Sequence, residues 1–313
     1  MPILTAALSL LLAAPAPAPV AGSKFSGSSV SLRHALNARG LDRGADLTWN
    51  PYAAAILSLS PSYKLPAELN LSANIDFSGE YTRRDTEISQ LNFGDPTLTL
   101  SRRFSHKRSG LALDSSATLL FGLSPASRAA TRYAAATLGL GLGRSFKELK
   151  DVKLRVGFRA TAYGHRSTHG VLGQALYGAC SGSLALDDIA SSCAEEMLVG
   201  NGSANAYGAL SSNLSATLKL PKTLSVRARF GASWMATYAT ALVDERISFE
   251  GPSGSNGRFF LMSDLRLAAA PIKRLGLAFG LQTGHPQLAT DGQYRSPFFN
   301  RYSNLYFDLT LRF

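Results

Sequence analysis

Apolar and polar residues alternate with a period of two along most of this chain. In 152–165, VKLRVGFRATAYGH, the positions Val152, Leu154, Val156, Phe158, Ala160 and Ala162 form an uncharged face. Lys153, Arg155, Gly157, Arg159, Thr161 and Tyr163 oppose it. In 224–238, Leu224, Val226, Ala228, Phe230, Ala232, Trp234, Ala236 and Tyr238 oppose Ser225, Arg227, Arg229, Gly231, Ser233, Met235 and Thr237. In 69–81, Leu69, Leu71, Ala73, Ile75, Phe77 and Tyr81 oppose Asn70, Ser72, Asn74, Asp76, Ser78 and Glu80. Successive side chains of a strand point to opposite faces, so such alternation marks a strand with one apolar face. It persists here well beyond the ordinary strand of about five or six residues.

Twelve segments carry the signal: 26–36, 53–65, 68–82, 96–105, 111–122, 133–146, 152–165, 205–220, 223–239, 258–270, 274–285 and 303–313. Their connections sort by parity. Short ones (66–67, 106–110, 147–151, 221–222, 271–273) alternate with long ones (37–52, 83–95, 123–132, 166–204, 240–257, 286–302). A soluble sandwich has no reason to sort its loops this way. A transmembrane barrel has short periplasmic turns and long extracellular loops, with strands of about 9–11 residues crossing the hydrocarbon. The pattern predicts an all-β fold, one antiparallel transmembrane β-barrel of about 12 strands over 23–313, its apolar face toward lipid and its polar face toward an aqueous lumen. An even strand number requires 26–36 as the first strand, although alternation is poorest there.

The chain ends SNLYFDLTLRF, in which Leu305, Phe307, Leu309, Leu311 and Phe313 alternate with Asn304, Tyr306, Asp308, Thr310 and Arg312. Order to the final residue is unusual for a terminus. It has a reason if this strand closes against the first, because an open edge in hydrocarbon leaves backbone groups unsatisfied. Aromatic residues fall near both ends of the strands: Tyr63, Phe104 and Phe146 by short turns, and Tyr81, Phe121, Tyr133, Tyr163, Trp234, Tyr238 and Phe259 by long loops. Two interfacial girdles would place them so. Taken together, these features resemble the Gram-negative outer-membrane β-barrel proteins over essentially the whole mature chain. The resemblance implies residence in the bacterial outer membrane with lipid as surroundings. It also implies that the closing residues Tyr306, Phe307, Leu309, Leu311 and Phe313 serve as the signal read by the barrel-assembly machinery. The stretches NFGDPTLTLS and FGLSPASRAATRY show a shorter resemblance to outer-membrane proteins encoded with aromatic-compound degradation pathways.

Composition agrees. No run of about 18 apolar residues marks a spanning helix. Residues 1–22, MPILTAALSLLLAAPAPAPVAG, have the apolar core and small residues of a secretory signal peptide, without a preceding Lys or Arg. Export leads to an oxidising compartment, so Cys180 and Cys193, both in loop 166–204, read as a disulfide. No further ligand stands at zinc-like spacing. The net charge of +11 would suit nucleic acid if clustered in one patch. The cations are instead scattered singly through alternating segments, which argues against a nucleic-acid partner.

Candidate chemistry lies on the inward faces. Lys153, Arg155, Arg159, Lys219, Arg227, Arg229, Arg266 and Arg312 fall there, with Asp76, Glu80, Asp114, Asp264 and Asp308. Two readings stay open: an electropositive pore that favours anions, or a salt-bridged interior that fills and stiffens a barrel of intermediate width. Loop 166–204, with Asp187, Asp188, Glu195 and Glu196, either constricts the lumen or stands outside as a binding surface. Its carboxylate spacing does not match an EF-hand. A rim hydrolase is a third reading. In GHRSTHG, His165 and Ser167 have the spacing of the His-x-Ser-Asn arrangement of outer-membrane phospholipases, with Thr168 where Asn is expected and His169 close by. Glu80 and Asp85 are the nearest approach to a rim carboxylate pair. GLGLGRS at 139–145 lacks the Gly-Lys-Ser/Thr ending of a phosphate loop, and reads as room in the lumen or ease of strand packing. The expectation is a non-enzymatic channel, or passive or facilitated transporter, for small solutes, with anion preference and no cofactor or metal. A plugged barrel that acts as a structural or surface-binding protein is the alternative, and a rim hydrolase the next. Solute and oligomeric state stay open.

Overall fold

The computed structural model describes residue 25 and residues 27–38, 53–81, 91–106, 109–146, 152–168, 205–221, 223–238, 257–286, 296–300 and 303–313. The leader 1–22, Cys180, Cys193 and the acidic positions of loop 166–204 lie outside the described residues, as do Asp85 and His169. The strands are β1 (Ser29–Asn37), β2 (Ala53–Ser60), β3 (Ser62–Lys64), β4 (Leu69–Glu80), β5 (Leu91–Phe93), β6 (Thr97–His106) and β7 (Leu111–Phe121). They continue with β8 (Arg132–Phe146), β9 (Val152–His165), β10 (Ala206–Lys219), β11 (Leu224–Thr237), β12 (Gly257–Ile272), β13 (Leu275–Pro286) and β14 (Ser303–Arg312).

These make a wall of 12 strands. β2 and β3 are one strand interrupted at Pro61, where the ring removes a ladder donor. β5 and β6 pair with the same edge of β4 and are one strand broken at 94–96. Every neighbour is antiparallel, and β1 pairs with β14 from Ser29↔Arg312 to Asn37↔Asn304. The segment with the poorest alternation is therefore the first strand. Closure leaves no sheet edge open to hydrocarbon.

Alternation sets the two surfaces. Leu138 is 68% exposed, Leu140 61%, Phe158 60% and Leu210 58%; these values would be costly in water and are natural against lipid. The exposed Phe104, Phe121, Tyr133, Trp234 and Phe259 also lie on this outer wall. Tyr163 departs from the expected girdle. Cross-strand from the buried Ala135, it points inward, with the Arg132 guanidinium 5.8 Å above its ring.

One tight turn requires glycine. Gly110 has φ +65°, and a Cβ there would stand 2.7 Å from the Ser145 carbonyl. On the long-loop side, a short helix α1 (Pro125–Ala129) lies within the long connection 123–132. Ser124 caps it by accepting from Ser127 N–H at 3.0 Å, and Pro125 occupies the first turn.

A second feature lies outside the wall. Thr283 and Ser303 share the outward face with Phe279 and Phe307, yet are 3% and 0% exposed. Residues 296–300 cover them. Thr283 Oγ1 donates to the Phe298 carbonyl at 3.0 Å, Ser303 Oγ accepts from Asn300 N–H at 2.8 Å, and the Phe298 ring reaches Phe230 of β11. Two hydroxyls that would otherwise meet hydrocarbon are thereby satisfied.

Candidate functional site: the lumen

The inward register brings together the expected side chains. β9 contributes Lys153, Arg155 and Arg159; β11 contributes Arg227 and Arg229; β12 contributes Arg266 and Asp264. Asp114 comes from β7, Asp76 from β4, and Glu80 takes the last inward register position of β4. Lys219 and Arg312 lie on the same inward parity, at the short-turn ends of β10 and β14.

The carboxylates do not share their partners evenly. Asp308 binds Arg33 through two bonds, from Nε to Oδ1 at 2.7 Å and from Nη2 to Oδ2 at 3.0 Å, with Arg266 3.4 Å away. Arg33 Nη1 also donates to Gln282 Oε1 at 3.0 Å, and its guanidinium stacks 4.3 Å from the Tyr306 ring centroid. Tyr306 passes over Gly280, where a Cβ would stand 2.5 Å from the ring, and donates its hydroxyl to Asp264 Oδ1 at 2.6 Å. Arg227 completes the chain through Asp264 Oδ2 at 3.1 Å. This network braces the seam where first and last strands meet.

The glycines of β8 have a matching role. Arg155 crosses β8 to reach Asp114 on β7 at 3.0 Å. It passes over Gly141, where a Cβ would stand 2.9 Å from Nη2. The alternating Gly139, Gly141 and Gly143 form the trough that admits it. The GLGLG stretch thus leaves room in the lumen, one of the two readings open for it. Arg103 adds a looser contact to Asp114 at 3.6 Å. Among the described residues, Lys153, Arg159 and Arg229 have no carboxylate within ion-pair distance.

At the long-loop rim, Asp95 sits in the break between β5 and β6. Its Oδ1 accepts from Ser124 N–H at 2.7 Å, and its Oδ2 accepts from Ser127 Oγ and from Arg132 Nη2 at 2.9 Å. Arg132 Nε also donates to Ser127 Oγ at 2.9 Å. The stretches NFGDPTLTLS and FGLSPASRAATRY meet in this tie, which anchors α1 to the wall.

The ring of the rim histidine lies between two backbone carbonyls. His165 Nδ1 faces the Ala130 carbonyl at 2.7 Å and Nε2 the Ala206 carbonyl at 2.9 Å. Both ring nitrogens face these carbonyls and not Ser167, whose own carbonyl accepts from Asn205 Nδ2 at 2.9 Å. A Ser–His pair needs that direct bond. Among the described residues, no group of three His, Cys, Asp or Glu side chains could hold a metal.

The sequence pattern did not single out Arg33, Arg258, Asp95 or Arg132, and it placed Tyr306 on the inward face without its bond to Asp264. Arg33 had a signal, since it alternates with Val30, Leu32 and Leu36, but His34 on the apolar side obscured it. His34 Nδ1 is 2.7 Å from the Tyr81 hydroxyl, which supplies its partner on the outer wall.

No protein-family model matches the chain, and no curated protein matches it in sequence. Solved structures do. The COG4313 outer membrane channel from Pseudomonas putida F1 aligns with a TM-score of 0.55 at 12% identity, covering 93% of this chain and 98% of that one. The NanC porin (TM-score 0.47, 8% identity, 91% and 98% covered) and the KdgM porin (TM-score 0.44, 8% identity, 91% and 99% covered) are more distant. At these identities the likeness establishes the fold: this chain has the closed β-barrel fold of bacterial outer-membrane proteins, and its exposed apolar outer wall suits lipid. Nothing in these comparisons ties it to aromatic-compound degradation.

Proposed function

We propose that this barrel is a passive or facilitated channel for small solutes with a preference for anions. The supporting observation is the inner face of β9 and β11, where Arg159 and Arg229 lack a carboxylate partner among the described residues and stand with Arg155 and Arg227. Unpaired charge on the wall of a narrow aqueous path focuses the field and favours counter-ions. In planar bilayers with a potassium chloride gradient, the reversal potential should report chloride over potassium. Replacing Arg155, Arg159, Arg227 and Arg229 together by Gln should bring the ratio toward one. A conducting barrel whose ratio is unmoved by these changes would remove the assigned basis of selectivity.

The ion-paired seam favours a second reading, a closed barrel that displays its loops. Folded protein that stays electrically silent in the bilayer would select it. We also infer that the end of β14, with Phe307, Leu309, Leu311 and Phe313 on the lipid side and Tyr306 inward, is the segment read during insertion. Deleting Phe313 should lower the amount of barrel recovered in outer membranes while leaving detergent refolding intact.

A further inference from the structure

A wall that faces hydrocarbon should carry no charge away from its interfaces, and register shows where this one does. On β6, Arg102 falls between the outward Leu100 and Phe104; on β8, Arg144 falls between the outward Leu142 and Phe146. Among the described strand residues, no other arginine or lysine, and no aspartate or glutamate, shares the outward parity. Both cations stand in the short-turn half of their strands, with only β7 between them. Their side chains are aimed alike. The Arg102 guanidinium lies 4.3 Å from the Phe104 ring centroid, and that of Arg144 lies 5.0 Å from Phe146. Each ring is two residues nearer the short turn. Each cation is therefore drawn along the wall toward the interface, away from the middle of the hydrocarbon where a charge costs most. A ring covers the face of a guanidinium and leaves the N–H groups, which lie in its plane, for an acceptor. Among the described residues neither guanidinium meets a carboxylate, and Arg102 Nε is buried without a hydrogen-bond partner. Between the two lie the exposed Leu111, Leu113 and Leu142.

We propose that this face of β6–β8 is a binding site for an anionic phospholipid of the periplasmic leaflet. The phosphodiester oxygens accept from the two guanidinium groups, and the acyl chains lie over the leucines between them. The net negative charge of the lipid answers two cations that the protein leaves uncompensated. A zwitterionic phospholipid offers the same phosphodiester but brings an ammonium group back beside the arginines. Free phosphate makes no use of the leucines. The short turns mark the periplasmic end of the wall, so the lipid comes from that leaflet.

Native mass spectrometry tests this on the full-length barrel, released from detergent holding equal amounts of dioleoyl phosphatidylglycerol and dioleoyl phosphatidylethanolamine. Phosphatidylglycerol adducts should prevail by roughly fivefold, the pull of one basic residue on anionic lipid. Arg102→Gln combined with Arg144→Gln should bring the ratio near one. Arg128→Gln combined with Arg166→Gln removes the same charge from exposed positions at the opposite rim and should leave the ratio as it was. An excess of glycerophosphoglycerol, the headgroup without acyl chains, should leave the bound lipid in place. Equal binding of the two lipids by the wild type overturns the proposal. So does an equal loss in both double variants, which would mark general attraction to a basic protein. Displacement by the headgroup alone would make this a free-phosphate site and overturn the lipid assignment. If the Arg102 and Arg144 double variant does not fold, judged by heat-modifiable gel mobility, the wild-type preference and the headgroup competition decide.

Discussion

Two groups of arginines face the same lumen and differ in what they do. At the seam, Arg33 bonds Asp308, Arg227 bonds Asp264 and Arg266 stands 3.4 Å from Asp308, and Tyr306 and Asp308 are nearly sealed from solvent at 2% and 6% exposure. On β9 and β11, Arg159 and Arg229 stand among other cations without a carboxylate partner among the described residues. The first group ties neighbouring strands together and sets three cations against two carboxylates, so most of its charge is matched. The second leaves its charge to act on whatever enters. Neither residue type nor register alone separates these roles; the competition for each carboxylate does. Register sets Asp308 directly across from Arg33, and it sets Asp264 directly across from Arg229, but Asp264 gives its two oxygens to Tyr306 and Arg227 instead.

The contrast can be broken most strongly at the seam. Asp308→Ala leaves Arg33 and Arg266 without their shared carboxylate and should cost about 3 kcal/mol, the low end for a broken buried pair because the Arg33 side chain retains 32% exposure. Urea unfolding in lipid vesicles measures it, and a loss near zero would mean that the seam is held by its backbone ladder alone. Tyr306→Phe removes only the 2.6 Å bond to Asp264, and the same assay should register about 2 kcal/mol for a lost bond to a charged acceptor. Gly141→Val joins the two groups. The added Cβ meets the far end of Arg155, so stability should fall by about 1 kcal/mol or less. Released from Asp114, Arg155 should strengthen anion preference; an unchanged reversal potential would show that the pair does not restrain it. Smallest of all, Arg159→Gln with Arg229→Gln should move stability by within about 0.5 kcal/mol. A loss as large as that of Asp308→Ala would place these residues with the seam.

The sequence carried the wall and little of its interior wiring. Strand period and loop parity are local, so all twelve spanning segments were legible, including 26–36. The side chains that point inward were legible for the same reason. Their partners were not. Arg155 reaches Asp114 across an intervening strand, which alternation cannot encode, although the run Gly139, Gly141, Gly143 is the trace it leaves. Asp95, Ser127 and Arg132 meet only because the wall breaks at Gly94–Pro96 and α1 folds back onto it. The helix itself had a signal in Ser124-Pro125, a cap followed by proline. Tyr163 was misread as a girdle residue because aromatic type outweighed parity, and its neighbours Lys153 to Arg159 already placed it inward.

The Arg33–Asp308 pair also acts as a proofreader of closure. When the last strand meets the first, a slip by one residue would turn every leucine inward and is rejected by lipid. A slip by two preserves the alternation, and hydrophobicity is blind to it. It would set Arg33 against Tyr306 or Thr310 rather than against Asp308, stranding a cation and a carboxylate inside the wall. The penalty for that error falls on the seam between the first strand and the last, whose partners, 275 residues apart, share no hairpin connection to keep count for them.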